Sequence, residues 1–166
     1  GNTGTLTGGA TTTAGRIGQA LSFDGVDDYV DVGTVSSLNG LSALSVSAWV
    51  KINTLEGGES NLRYIANQES GNGSTETPFI LRLDTSNDDY EFYVGGSAYV
   101  SAVTANNSAL KDMWQHVIGV YDGANVTIYL DGSQRASSAK TGGTGVDPGN
   151  PLRIGQISGA ASRQWS

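Results

Sequence analysis

Cysteine is absent from all 166 residues, which excludes disulfides and thiolate metal sites and leaves no thiol from which to read a redox compartment. Positive charge is scarce. Nine lysines plus arginines stand against 16 aspartates plus glutamates, for a formal net charge of −7, and no basic run occurs. A nucleic-acid backbone therefore finds little to hold, and nucleic acid is not an expected partner. No apolar run approaches the roughly 20 residues that a membrane helix needs, so membrane insertion is not expected either. The opening "GNTGTLTGGATTTAG" has neither the basic nor the apolar part of a signal peptide; if the protein is exported, its targeting segment lies outside this sequence. With a single histidine, His116, no multi-histidine zinc site can form, and the "GxSxG" elbow of serine hydrolases is missing.

What is abundant is glycine, 24 residues of it, with serine, threonine and asparagine, while charged residues make up only 15%. That mixture suits a turn-rich all-β chain, and the length suits one domain. Period-two alternation supports this. In "LSVSAWVKI", Leu44, Val46, Ala48, Val50 and Ile52 share one face, and Ser45, Ser47, Trp49 and Lys51 the other. Comparable runs occur at "DYVDVG", "RYIANQ", "PFILRLDT", "DYEFYVGG", "AYVSAVT", "QHVIGVYD", "VTIYLDG" and "PLRIGQI". Between them lie "EGGES", "ESGNGSTETP", "TSNDD" and "KTGGTGVDPGNP", rich in turn-forming residues. The spacing is that of a sandwich of short antiparallel strands. "SALKDMW" is a candidate for a short helical turn.

The stretch "MWQHVIGVYDGANVTIYLDG", Met113 to Gly132, has a catalytic look that strand logic dissolves. Asp122 and Asp131 each precede a glycine, as hairpin turns require. His116 alternates with Ile118 and Val120, which predicts a core or hydrogen-bonded histidine. Glycoside hydrolysis needs two carboxylates across one sugar. No "ExDxE" run occurs, Glu91 is the only glutamate of "YEFYV", and "DTSNDD" reads as a turn. The chain is therefore not expected to be an enzyme.

"SFDGVDDYVDV" places Asp24, Asp27, Asp28 and Asp31 beside a tight glycine turn. Four carboxylates so close either sit in a solvated turn or share a hard cation such as calcium, and the spacing is not that of an EF-hand loop. Tyr64, Tyr93, Tyr99 and Trp165 are the aromatic candidates for stacking on sugar rings. Asn-x-Ser/Thr sequons at Asn72, Asn106 and Asn125 arise easily by chance in such a composition.

Taken in order, "ALSFDGVDDYVDVG", "LSVSAWVK", "MWQHVIGVYDGANVTIYLDG" and "LRIGQ" resemble the LamG-like jelly-roll domains of the concanavalin A-like lectin and glucanase superfamily. The resemblance covers roughly residues 15 to 157. It implies a two-sheet antiparallel jelly-roll sandwich spanning residues 15–166 behind a Gly and Thr-rich segment, 1–14. It also implies a non-catalytic, extracellular or cell-surface binding or adhesion module whose partner is a glycan or a surface protein. Many such domains carry calcium near the Phe-Asp-Gly turn, which maps to Asp24 and Gly25, with Asp27 and Asp28 beside them. They usually open with a strand like "xxWxFDE" and close with one like "GxIDEVRIY", and this sequence has neither. Two expectations follow: the sequence is part of a longer protein, or neighbouring chains donate strands, as in a structural subunit of a filament, virion or surface layer. A glucanase-like hydrolase is the least supported alternative.

Overall fold

The computed structural model describes residues 3–55, 62–69, 75–147, 149–156 and 165. Among them the chain forms β1 (Thr5–Thr7), β2 (Thr11–Ala14), β3 (Gln19–Ser22), β4 (Tyr29–Asp31), β5 (Leu44–Val50), β6 (Leu62–Gln68), β7 (Phe79–Asp84), β8 (Asp89–Val94), β9 (Val100–Val103), β10 (Gln115–Tyr121), β11 (Asn125–Leu130), β12 (Ser133–Ala139) and β13 (Leu152–Ile154), with one 3-10 turn at Ser36–Leu38. The strands form a seven-stranded sheet, β1-β4-β13-β6-β7-β8-β9, a four-stranded sheet, β12-β11-β10-β5, and the β2-β3 hairpin. Every pairing between these strands is antiparallel. The chain is thus an all-β jelly-roll sandwich, as its patterning and its resemblance imply.

Alternation decides what enters the core. Phe79, Leu81 and Leu83 of β7 and Tyr90, Phe92 and Val94 of β8 meet Val117 and Tyr121 of β10 and Val126, Ile128 and Leu130 of β11 in one cluster. On β5 the face of Leu44, Val46, Ala48 and Val50 packs against that cluster, while Ser45, Ser47, Trp49 and Lys51 are exposed. Strand β10 orients the other way from its simplest reading. Gln115, Val117, Gly119 and Tyr121 are buried, whereas His116, Ile118 and Val120 lie on the outward face, half-buried. His116 is hydrogen-bonded but outside the core. The reason is Gly119, whose missing side chain leaves room for the Phe92 ring from the opposite sheet; a Cβ there would sit 2.3 Å from Phe92 Cγ and Cδ2.

Three strands, β12, β1 and β2, form without an extended apolar alternation. β12, "SQRASSA", is an edge strand exposed along most of its length, held by its register with β11. The connection is Asp131-Gly132, both at positive φ (52° and 78°), the two-residue turn that matches strand twist. The Gly and Thr-rich segment supplies β1, which pairs with β4, and β2, which pairs with β3. "SALKDMW" forms no helical turn; Lys111 bridges Ile52, and the Asp112 amide donates to the Ile52 carbonyl at 2.8 Å. Tertiary pairing outcompetes local propensity there. Asn72 lies outside the described residues.

Because Gly119 accommodates Phe92, Gly119→Ala is expected to destabilise the domain by about 1–3 kcal/mol through overpacking. Denaturant unfolding should show a lower midpoint at unchanged slope.

Candidate functional site

The seven-stranded sheet turns a second face away from the core, and its cross-strand register builds a row there that is polar except at the buried Ile80. Thr5, Asp31, Arg153, Asn67, Ile80, Tyr93 and Ser101 lie directly opposite one another from β1 to β9. One step along, Tyr64 opposes Arg82, Arg82 opposes Glu91, and Glu91 opposes Val103. Arg82 is the hub. Its Nε donates to Glu91 Oε2 at 2.5 Å, one terminal nitrogen donates to the Tyr64 hydroxyl at 3.1 Å and the other to the Tyr93 hydroxyl at 3.2 Å. The Tyr93 hydroxyl in turn donates to Glu91 Oε1 at 3.2 Å. Burial opposes the Arg82 charge, but Glu91 and the two tyrosines outweigh it and hold its pKa above the ordinary value.

Tyr99 stacks on Tyr93 with ring centres 5.0 Å apart and planes 17° from parallel. Together with Leu62 they pack around Tyr64 and Ile80. Tyr64 is only 1% exposed, so Tyr93 and Tyr99, both half-buried, are the rings a solute can reach. Burial, then the charge of Glu69, pushes the Tyr99 hydroxyl pKa up, while Arg82 opposes. A second guanidinium sits further along the sheet: Arg153 pairs with Asp31 at 3.5 Å and lies 4.4 Å from the Tyr29 ring centre.

Among the described residues, carboxylates outnumber cations on this face. Asp84 and Asp89 stand opposite each other across β7 and β8. Asp89 is 3% exposed, and its Oδ1 has no hydrogen-bond partner among the described residues. Burial first, then Glu91 and Asp84, raise its pKa to about 6.

The structure thus brings Tyr64, Tyr93 and Tyr99 together and leaves Trp165 apart. Trp165 joins the hydrophobic core at 7% exposure, its amide donating to the Gly155 carbonyl at 2.8 Å. Sequence reasoning passed over Arg82 and Asp89. The alternation in "PFILRLDT" places Arg82 opposite in direction to Leu81 and Leu83, and "DYE" places Asp89 and Glu91 on one face. Their partners, however, come from other strands.

A second cluster occupies the turn before β4. Carboxylate oxygens of Asp24, Asp27 and Asp28 all lie within 4.8 Å of one another. Asp24 Oδ1 accepts from the Val26 amide at 2.8 Å and the Asp27 amide at 3.4 Å, and Asp28 Oδ2 accepts from the Asp24 amide at 2.9 Å. Asp28 is 4% exposed, and its Oδ1 is buried with no hydrogen-bond partner among the described residues. A buried carboxylate oxygen left without a donor costs free energy unless a cation meets it; the donor set, all hard oxygen, suits calcium. Gly25 supplies the turn at φ 78°. Gly8 presses on the same corner: at φ 83°, its Cβ would fall 2.3 Å from the Asp27 carbonyl oxygen.

His116 and the flagged aspartates form no triad. His116 Nε2 and Ser47 Oγ are 2.8 Å apart on the exposed face of the four-stranded sheet, and the ring stacks on Trp49 at 4.9 Å. Asp131 Oδ1 accepts from the His116 backbone amide rather than the ring, and Asp122 Oδ1 from the Ala124 and Asn125 amides. The turn amides hold the Asp122 carboxyl below its ordinary pKa.

A cavity of about 400 Å³ opens where Gln19 to Leu21 of β3 and Ala48 to Val50 of β5 line one space with Phe23, Ile154 and Trp165.

A family model described as the concanavalin A-like lectin/glucanases superfamily matches residues 24–166. Among solved structures, domain 4 of AbnA, a GH43 extracellular arabinanase from Geobacillus stearothermophilus in complex with arabinotriose, is similar with a TM-score of 0.65 at 18% identity, over 98% of this chain and 75% of that one. The CBM40 of a Ruminococcus gnavus IT-sialidase bound to α2,3-sialyllactose gives 0.59 at 10% identity, over 78% and 73%. Domains LG4-5 of the mouse laminin α1 chain give 0.54 at 13%, over 82% and 34%. Identities this low show a shared fold. No curated protein matches the sequence.

Proposed function

The chain belongs to the concanavalin A-like lectin/glucanases superfamily, and from that premise we propose that it is a non-catalytic carbohydrate-binding module of an extracellular or cell-surface protein. The observation that carries the reading is the Tyr93–Tyr99 stack beside the Arg82–Glu91 pair on the outer face of the seven-stranded sheet. Half-buried aromatic rings give a sugar's apolar face a surface to cover. The Arg82–Glu91 pair and the tyrosine hydroxyls it holds give the sugar's hydroxyls a polar rim of fixed geometry. Such preorganisation lowers the entropy cost of binding. Relatives in fold that hold arabinotriose and sialyllactose support the ligand class. No helix among the described residues is long and apolar enough to cross a membrane. Absence of catalysis is supported by the site itself: Glu91 is committed to Arg82, and Asp89 is buried. On a glycan array, binding to at least one oligosaccharide is expected, and Tyr99→Ala should weaken it by about three- to tenfold with folding intact. An array without hits would redirect the module to protein partners, and release of reducing sugar would make it an enzyme.

The Asp24, Asp27 and Asp28 corner, with Gly25, is proposed as a structural calcium site, supported by the orphaned Asp28 oxygen. Millimolar calcium is expected to raise the melting temperature by about 5 °C or more over the chelated protein, and Asp28→Asn to abolish the rise. Equal melting temperatures in calcium and chelator would exclude the ion.

A second reading, strand donation between chains, draws support from the cavity lined by β3 and β5. Among the described residues β5 is an edge strand of its sheet, and a strand laid along it would extend that sheet and fill apolar space. Light scattering should then show assembly that grows with concentration; a monomer at micromolar concentration sinks this reading.

A further inference from the structure

The charge on the outer face selects among sugars. We infer that the ligand of this face is a neutral oligosaccharide and that glycans carrying carboxylate, sulfate or phosphate are excluded; this rests on the glycan-binding reading above.

Among the described residues, the two guanidiniums of the face are already engaged: Arg82 by Glu91 and two tyrosine hydroxyls, and Arg153 by Asp31 and the Gln156 side chain. To form an ion pair with either one, an acidic sugar would have to displace a protein carboxylate. At Arg82 that carboxylate is the buried Glu91, which would keep only the Tyr93 hydroxyl, a costly exchange, and at Arg153 it is the half-buried Asp31, which would keep the Gly33 amide. Among the described residues, the remaining charges that act on the tyrosines are negative. Glu69 acts on Tyr99, and Glu91 on Tyr93. Asp89 lies among Glu91, Asp84 and Asp88, with Arg82 the one opposing charge that acts on it. A ligand anion stacked on Tyr99 would meet this field at short range, where a low local dielectric magnifies repulsion. A neutral sugar meets no such penalty. Its hydroxyls donate to the carboxylates and its ring covers the tyrosines, so the same residues that repel an anion bind a polyol.

Asp89 makes this selection adjustable. Its carboxyl, raised to about 6, is charged at pH 7.5 and largely protonated at pH 5. The sign is therefore fixed: exclusion of acidic glycans is strongest above pH 7 and relaxes as pH falls through 6.

The test uses an array of neutral arabino-, gluco-, galacto-, manno- and fructo-oligosaccharides together with sialylated, sulfated and uronic acid counterparts, followed by calorimetry on the best neutral binder and its acidic analogue. At pH 7.5 and low salt the neutral ligand is expected to bind at least about tenfold more tightly. Added salt should leave the neutral affinity unchanged and narrow the ratio. Asp89→Asn, or wild type at pH 5, should narrow it as well; circular dichroism controls for folding. An acidic glycan bound as tightly as its neutral counterpart at pH 7.5 overturns the inference and leaves glycan binding standing. Absence of binding to any glycan overturns the parent reading, and neutral binding indifferent to Tyr99→Ala removes both from this face.

Discussion

The register between β7 and β8 is the constraint on which the rest of the molecule depends. Side chains alternate with period two, so a slip of β8 by one residue would carry Glu91 into the core and turn Phe92 out to water, and a slip of β7 would do the same to Arg82 and Leu81. With the observed register, Leu81 and Phe92 lie at 0% exposure inside the main cluster, and Arg82 faces Glu91 directly. Burying two large apolar side chains contributes several kcal/mol. Exposing an unpaired guanidinium to the core would cost more still. The hydrophobic interior and the polar face are thus specified by one choice, and Gly119 secures it from the opposite sheet by leaving the Phe92 ring its place.

That choice also sets the electrostatics. Antiparallel pairing brings Asp84 opposite Asp89 and Glu91 opposite Arg82, so one cation is answered by one carboxylate while others stand unanswered nearby. Like charges directly opposite each other on a sheet are destabilising. The chain accommodates them by engaging Asp84 Oδ1 with the Ser86 amide and hydroxyl and by raising the proton affinity of Asp89. A stability-optimised sheet would place lysine or threonine at one of these positions. Retained local conflict of this kind is characteristic of surfaces that serve a ligand.

Much of the fold is legible in the sequence because alternation and turn chemistry are local. Leu44 to Val50, Phe79 to Leu83 and the Asp131-Gly132 turn can each be read from a few neighbouring residues. β12 could not be read in this way. "SQRASSA" has no apolar face, and its strand character comes entirely from β11 beside it. Nor could the orientation of β10, where Ile118 and Val120 look more like core than Gln115 and Gly119, yet Gln115 is buried to 3% by accepting from the Tyr90 hydroxyl and the Leu110 amide. The tyrosines of the candidate site were visible as aromatics. What unites them, Arg82, depends on pairings between residues 18 and 11 positions apart, which no short window contains.

The two proposed sites are joined through β4. The Asp24 to Asp28 turn runs directly into Tyr29–Asp31, where Val30 enters the core while Tyr29 and Asp31 hold Arg153 on the outer face. β4 pairs with β1 on one side and with β13 on the other, and Gly8, at the end of β1, packs on the Asp27 carbonyl. An ion bound by the three carboxylates would therefore fix the turn, the start of β4 and the β1–β2 corner at once. Arg153 takes its position from Asp31, so ordering this corner also orders that end of the polar row. The Tyr93–Tyr99 end relies instead on β7 and β8, whose register the core already determines. Cation binding is on this account a support for one flank of the face, with the stacking rings held independently by the core.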